Sequence, residues 1–355
     1  MSETAVPKVC ICVPAYNAER TLPETLDSLL AQTYRDLVIL VVDNASTDGT
    51  LKVADAYAAK DPRVTVLRNA ENVGGEGNFT RCLGLGRGEY TAIFHADDVY
   101  TPTIVEEQVA FLAAQPEAGA VFSMAQEIDS EGKPGEVFHL PPELRGEPGR
   151  LYYFAEVFRA LLKYGSFVFC PGVMARTTVY RDYIRKWNGG DFKTAADIDV
   201  WLRILLRYPI GFIDKPLLHY RGAAPTSYSF YAVRSRTEPQ DILTVLGTYI
   251  KGHAAGITGE KELLDFRLQE LKDNINRGLK ICIAGDRAGG RALLGALFNR
   301  KLVVHGLKNK FHLKVLAYGY LVYFITLLPL NERLRNLVFK ARFEWSLKIR
   351  SRFFR

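Results

Sequence analysis

Residues 88–100 read GEYTAIFHADDVY: an apolar run, Tyr90 to Phe94, stops abruptly at a polar cluster of His95, Asp97 and Asp98. Adjacent carboxylates resist burial together unless a cation or a hydrogen-bonding ligand compensates them. At the end of a strand in an open α/β sheet, such a pair faces the crevice where ligands bind. Hard oxygen ligands in small number suit Mg2+ or Mn2+ holding a diphosphate. The competing reading is a solvated acidic turn that caps the helix after Pro102.

Upstream, the same pattern recurs. Val9 to Val13 is an apolar β-type run closed by Pro14-Ala15-Tyr16-Asn17, after which Leu22, Leu26, Leu29 and Leu30 fall at helical spacing. Leu37 to Val42 is a second run, closed by DNASTDGT (43–50) and followed by a helix to about Lys60. Val64 to Leu67 is a third strand, and Asn72 to Leu85 a loop and helix containing Gly74, Gly75 and Gly77. The order βαβαβαβ predicts an α/β fold with a mostly parallel, doubly wound sheet. Three polar loops, PAYN, DNASTDGT and HADD, then share one sheet edge. Ser46, Thr47 and Asp48 can serve simply as turn and cap residues. Asp43 directly follows its strand and is poorly placed to cap, so its carboxylate is free to accept the imino N–H of a pyrimidine, with Tyr16 stacking on the base or joining the core.

These motifs, VPAYN, VVDNASTDGT, ENVGGEGN, GEY and HADD, in this order and spacing, resemble the family 2 glycosyltransferases of GT-A fold over about residues 8–225. The resemblance implies an inverting enzyme that uses a nucleotide-diphosphate sugar donor. It places Pro14, Tyr16, Asn17, Asp43 and Asn44 on the nucleotide, Asp97 on the ribose or diphosphate side, and Asp98 on a divalent metal, Mn2+ or Mg2+. Two positions depart from the family pattern: Asn44 stands where many members carry a second Asp, and His95 where many carry the first Asp of the metal string.

Downstream, a helix over 102–114 and a strand over 120–123 precede a turn-laden insertion, 129–149, and a helix over 151–164. A second acidic cluster is TAADIDVWLR (194–203). On a helix Asp197 and Trp201 share a face, whereas Asp199 can pair with Arg203 at i+4; an acidic first turn also suits the helix dipole. Aligned on Trp201-Leu202-Arg203, the family resemblance makes Asp197 the general base, with Ala196 where members usually carry Glu, and leaves Asp199 and Trp201 on the acceptor side. The loop HYRGAAPTSYS (219–229) resembles the family's segment near the diphosphate, with Arg221 the contact.

With 355 residues at 48% hydrophobic content, the chain can bury more than one core, which excludes a disordered class. Five scattered cysteines without metal spacing point to a reducing compartment, and MSETAVPK has no apolar leader, so a cytoplasmic chain is expected. The net charge of +7 is lopsided: residues 300–355 hold 13 basic and 2 acidic groups, leaving 1–299 at −4. No nucleic-acid reading module accompanies those charges. Helices are expected over 237–251, 260–283 and 287–298. The uncharged run 315–330 would span about 24 Å as a helix, short of the ~30 Å hydrocarbon core. It reads as buried or re-entrant, followed by a basic amphipathic segment.

The chain therefore divides into a catalytic domain (1–230), a helical extension (231–312) and a membrane-associating tail (313–355). The expected partners are a nucleotide-diphosphate sugar, a glycan or polyprenyl-linked glycan acceptor and an anionic membrane surface, reached from the cytoplasmic face. The alternatives are a nucleotidyltransferase, whose Gly- and Lys-rich phosphate loop is missing from the first strand, and a sugar-binding protein without catalysis.

Overall fold

A computed structural model describes residues 7–222 and 236–328. They form two compact units: 7–156 with 168–222, and 157–167 with 236–328.

In the first unit, β1 (Val9–Ala15) and β2 (Leu37–Asp43) are almost wholly apolar and buried along their length, the pattern of central parallel strands covered on both faces. The chain runs from β1 through α1 (Leu22–Leu30) to β2, then through α2 (Thr50–Ala58) to β3 (Val64–Arg68), always moving to the same side. It then returns through α3 (Gly74–Leu85) to β4 (Tyr90–Ile93), which pairs in parallel with the other edge of β1. This reversal between β1 and β4 opens the crevice in which open α/β sheets bind ligands. The PAYN and HADD loops leave the sheet on either side of it. Gly88, at φ +79°, makes the turn into β4, where a Cβ would collide with the Pro7 and Lys8 carbonyl oxygens. Leu22, Leu26 and Leu29 of α1 pack into the core with Ile11, Ile39 and Phe94.

Beyond β4 the sheet is mixed, in the order β3-β2-β1-β4-β9-β6-β10-β5. The short β9 (Val173–Arg176) runs antiparallel between β4 and β6 (Ala120–Ile128), and β10 (Ile210–Arg221) runs parallel to β6. The two-residue β5 (Val99–Tyr100) and β8 (Leu151–Tyr152) pair with β10, while β7 (Pro134–Val137) pairs with β6 inside the insertion. The sequence reading places no strand over 210–221, because Asp214-Lys215-Pro216 breaks the apolar pattern; the strand passes Pro216 through register shifts. Along the described residues, α4 (Ile104–Ala114) is followed by α5 (Phe154–Tyr164), α6 (Gly189–Phe192) and α7 (Ala196–Leu205).

The second unit contains α8 (Asp241–Lys251), α9 (Glu260–Ile283), α10 (Arg287–Ala292), α11 (Arg300–Leu307) and α12 (Lys310–Leu327). Leu268, Leu271, Ile275 and Leu279 of α9 line its core. Gly278 and Gly290 let α9 and α10 approach so closely that a Cβ on either would strike the other's carbonyl oxygen. Two expected boundaries move. Segment 157–167 joins this unit, with Phe158 against Tyr249 and the Lys163 carbonyl accepting from Gln269, so the division at 230 is not a single cut. The division at 312/313 falls inside α12, which buries Phe311, Val315, Leu316, Gly319 and Val322 and leaves Leu313, Leu321, Phe324 and Leu327 exposed. No helix among the described residues is long and apolar enough to cross a membrane. The basic segment 331–355 and the loop 223–229 lie outside the described residues.

Candidate active site

The HADD loop is gripped from one face of α1. Thr21, Thr25 and Ser28 recur at helical spacing: Thr21 Oγ1 donates to the Ala96 carbonyl at 2.9 Å, Thr25 Oγ1 to the Asp98 carbonyl at 2.8 Å, and Ser28 Oγ accepts from Tyr100 N–H at 3.2 Å. Tyr100, stacked on Phe94 at 4.1 Å, accepts the His95 N–H through its hydroxyl at 2.7 Å. Sequence reasoning missed these hydroxyls; the signal was their common spacing beside Leu22, Leu26 and Leu29.

Held this way, Asp98 is 1% exposed while Asp97 stays at the surface. Asp98 Oδ1 accepts the Arg221 N–H at 2.7 Å, but Oδ2 has no hydrogen-bond partner, and neither does buried His95 Nε2. Burial, then the neighbouring Asp97 charge, pushes the Asp98 carboxyl well above the usual carboxylate range; burial also depresses His95. Ligand atoms of His95, Asp97 and Asp98 lie within 4.8 Å of one another. A divalent cation with two oxygen ligands and one imidazole fits this set, because it would satisfy the orphaned carboxylate oxygen and offset the paired charges.

At the end of β2, Asp43 is 2% exposed. Its Oδ2 accepts the Ser46 N–H at 3.3 Å and its buried Oδ1 has no partner, leaving one acceptor for a ligand N–H. Tyr16, just past β1, is 48% exposed. Pro14, half-buried, is the penultimate residue of β1, and Asn17, at φ 50°, ties the two loops by accepting the Thr47 N–H and donating its own N–H to Ser46 Oγ. Asn44 does something different from the expected ligand contact. Its amide donates to Asn72 Oδ1 and the Gly74 carbonyl and accepts from Asn69 Nδ2 and Val73 N–H. Both donors and both lone pairs are used inside the protein, so Asn44 shapes the loop before α3.

Asp197 opens α7. Its carboxylate keeps a partial opening to solvent but is closely surrounded by protein, and that desolvation pushes it up to about 6 against the Ile198 N–H bond at 2.8 Å. The Cys170 thiol is raised by burial and then by the fields of Asp197 and Asp98. Asp199 is clamped as expected, accepting from Arg203 Nε at 2.8 Å and also from Asn188 Nδ2 at 2.9 Å. Trp201 departs from the acceptor-side expectation: it is 3% exposed, edge-on to Phe122 at 5.2 Å. It ends an aromatic series, unread in the sequence, in which Trp187 stacks on Phe79 at 4.6 Å and Phe79 meets His95 at 5.4 Å. This series packs the HADD loop and α7 against common partners.

Arg221, at the end of β10, is 8% exposed, and its guanidinium donates to the Asp97 and Asp129 carbonyls at 2.8 and 3.0 Å and to the Glu24 carboxylate. Three of its five N–H groups are thus spent on the scaffold. Arg221 braces the HADD loop and ties it to Glu24 of α1.

A model of glycosyl transferase family 2 matches residues 10–184. EpsE of Bacillus subtilis, named as a glycosyltransferase, is 33% identical over 199 residues, 56% of this chain and 66% of its own length. The Escherichia coli enzyme WfaP, a UDP-Glc:alpha-D-GlcNAc-diphosphoundecaprenol beta-1,3-glucosyltransferase, is 28% identical over 201 residues, 56% of this chain and 70% of its own. The crystal structure of S. aureus TarS 1-349 with UDP-GlcNAc superposes with a TM-score of 0.56 over 89% of this chain and 90% of that one, at 17% identity, which speaks for the GT-A fold alone. With its parallel half-sheet, its switch-point crevice and these relatives, the chain belongs to the family 2 glycosyltransferases.

Proposed function

We propose that this glycosyltransferase moves a sugar from a nucleotide-diphosphate donor to a hydroxyl of a glycan or lipid-linked glycan, inverting the anomeric centre, in the assembly of a cell-surface polysaccharide. The observation that carries this is the orphaned carboxylate oxygen of Asp98, set with His95 and Asp97 at the switch-point crevice; Asp197 in the first turn of α7, raised to about 6, supplies the base. A sugar hydroxyl is too weakly acidic to attack unaided at neutral pH. A base with a pKa near 6 is largely ionised at pH 7 and still basic enough to accept the proton as the bond forms. Asp197 takes that proton while the acceptor oxygen attacks the anomeric carbon on the face opposite the diphosphate. The bond to the leaving oxygen breaks with its electron pair, and no covalent enzyme intermediate forms.

His95, Asp97 and Asp98 are the residues that would hold Mn2+ or Mg2+. Such an ion supplies charge stabilisation to a departing diphosphate; the structure of a Pyrobaculum calidifontis mannosyltransferase of similar fold, with a TM-score of 0.50 over 91% of this chain and 88% of that one at 18% identity, is a complex with GDP-Man and Mn2+. Asp43 accepts an N–H from the base and Tyr16 covers its face. A lipid-linked acceptor is supported by the substrate in the name of WfaP. It is also supported by exposed Leu313, Leu321, Phe324 and Leu327 beside Lys308 and Lys310, a combination that suits docking on an anionic membrane from the cytoplasmic face.

Calorimetry with UDP- and GDP-sugars, with Mn2+ and with chelator, tests the donor side. Affinity that ignores both chelation and Asp98→Ala would remove the metal from the reading. Flotation with anionic vesicles at low salt tests the surface, and a protein that stays unbound there has no membrane-docking face.

A further inference from the structure

The second unit contains a group of side chains that glycosyl transfer does not use. Asp265 of α9, His305 of α11 and His312 of α12 bring ligand atoms within 4.8 Å of one another. His305 Nε2 lies 2.7 Å from Asp265 Oδ1, and His312 Nδ1 lies 3.7 Å from the same oxygen. They line a cavity of about 420 Å³ together with Lys163, Lys261 and Lys308.

The decisive atom is His312 Nδ1. His312 is 1% exposed, and its Nε2 lies 3.2 Å from the Lys163 carbonyl oxygen. A carbonyl can only accept, so Nε2 carries the proton, and in the neutral ring Nδ1 is then a bare lone pair. Its Nδ1 has no hydrogen-bond partner and faces a carboxylate oxygen. A lone pair directed at an anion is repulsive unless something positive lies between them. The Nε2–H to backbone carbonyl bond is also the outer contact that orients imidazoles bound to metals.

We propose that Asp265, His305 and His312 form a second metal site, taking a transition ion of the Zn2+ class and tying α9, α11 and α12 together. Bonds of about 2.0–2.2 Å at tetrahedral angles set donor atoms about 3.3 Å apart; the separations of 2.7 and 3.7 Å lie on either side of that value. On binding, His305 moves its proton from Nε2 to Nδ1 and offers the Nε2 lone pair, while Asp265 exchanges a hydrogen bond for the ion. The fourth position opens to the cavity, whose lining includes Lys261, Lys308 and Glu260, and takes water or hydroxide.

The test uses full-length protein carrying Asp98→Ala, which removes the first site, stripped with chelator and titrated with Zn2+ by calorimetry, with metal content read by mass spectrometry. One equivalent of Zn2+ is expected, with a rise in thermal midpoint. Adding His305→Gln, which keeps an amide donor for Asp265 and thereby the local packing, is expected to weaken Zn2+ binding at least about 10-fold and to abolish the rise. Asp265→Asn should do the same, with circular dichroism confirming the fold of each variant. Co2+ in place of Zn2+ should give the intense visible bands of a four-coordinate ion. Failure of the Asp98→Ala protein to take up Zn2+, or equal uptake with and without His305→Gln, would overturn the site while leaving the glycosyl-transfer reading intact.

Discussion

At the sheet edge of the first unit, Asp43 Oδ1, His95 Nε2 and Asp98 Oδ2 are buried without partners. In the second unit the buried acid Asp273 is instead held by Arg236 at 2.7 Å, by Arg277 at 3.9 Å and by the Gln240 N–H at 3.3 Å. Each unpaired buried polar atom costs about 1–3 kcal/mol, so a fold tolerates a cluster of them only where a ligand completes the set. The contrast separates groups kept for chemistry from groups kept for architecture, and removing them should have opposite consequences.

The largest expected effect is on turnover. Asp197→Asn should lower kcat by about 10²–10⁴-fold while donor affinity, read by calorimetry, stays within a few-fold, since a base acts in the transition state. Substantial turnover by this variant would move the base elsewhere. On the architectural side, Asp273→Ala strands Arg236 and Arg277 and should cost about 3–5 kcal/mol of folding stability, seen as a lower urea midpoint. A shift within ~0.5 kcal/mol would show that the pair is solvated and would dissolve the contrast.

A third, smaller effect runs against intuition. The Asp197 pKa is raised from 3.8 to about 6 by burial, so folding disfavours its charged form. That cost is absent below about pH 4, grows between pH 4 and 6, and is fully present above 6. Asp197→Asn should therefore stabilise the protein by about 1–3 kcal/mol at pH 7.5, with the gain vanishing near pH 4. Urea unfolding at the two pH values checks this, and the wild-type rate should rise with pH through about 6. Last, Thr25→Val deletes the hydroxyl that holds the Asp98 carbonyl and should cost about 1 kcal/mol of stability and roughly 10-fold in metal affinity. Unchanged affinity would mean that Arg221 and Tyr100 hold the loop without it.

Much of the first unit was legible because its elements are contiguous and periodic. Leu37 to Val42 can only be a buried strand, and Asp43, Asp97 and Asp98 stand where such strands end. Asp199 also pairs with Arg203 as i+4 spacing requires. What was hidden depends on long-range pairing. The strand over 210–221 becomes one only beside β6, and Arg221 becomes a brace only where three distant segments reach it. Asn44 read as a ligand because side-chain saturation cannot be counted before the loop at 69–74 is folded over it. The Asp265, His305 and His312 cluster spans 48 residues and three helices, so no local spacing announces it.

The grip on the HADD loop has one more property. Thr21, Thr25 and Arg221 Nε hold the carbonyls of Ala96, Asp98 and Asp97, Ser28 holds the Tyr100 N–H, and Gln32 Nε2 holds the Thr101 carbonyl at 2.8 Å. Every one of these attachments ends on main-chain atoms. The clamp is therefore indifferent to which side chains the loop displays at 95–97, so mutation can exchange His95 or Asp97 without losing the loop's shape. That separation of shape from identity makes the position evolvable: one scaffold can change the groups it displays at the crevice, and directed libraries at 95 and 97, scored for the proposed metal and donor binding, are a practical place to begin.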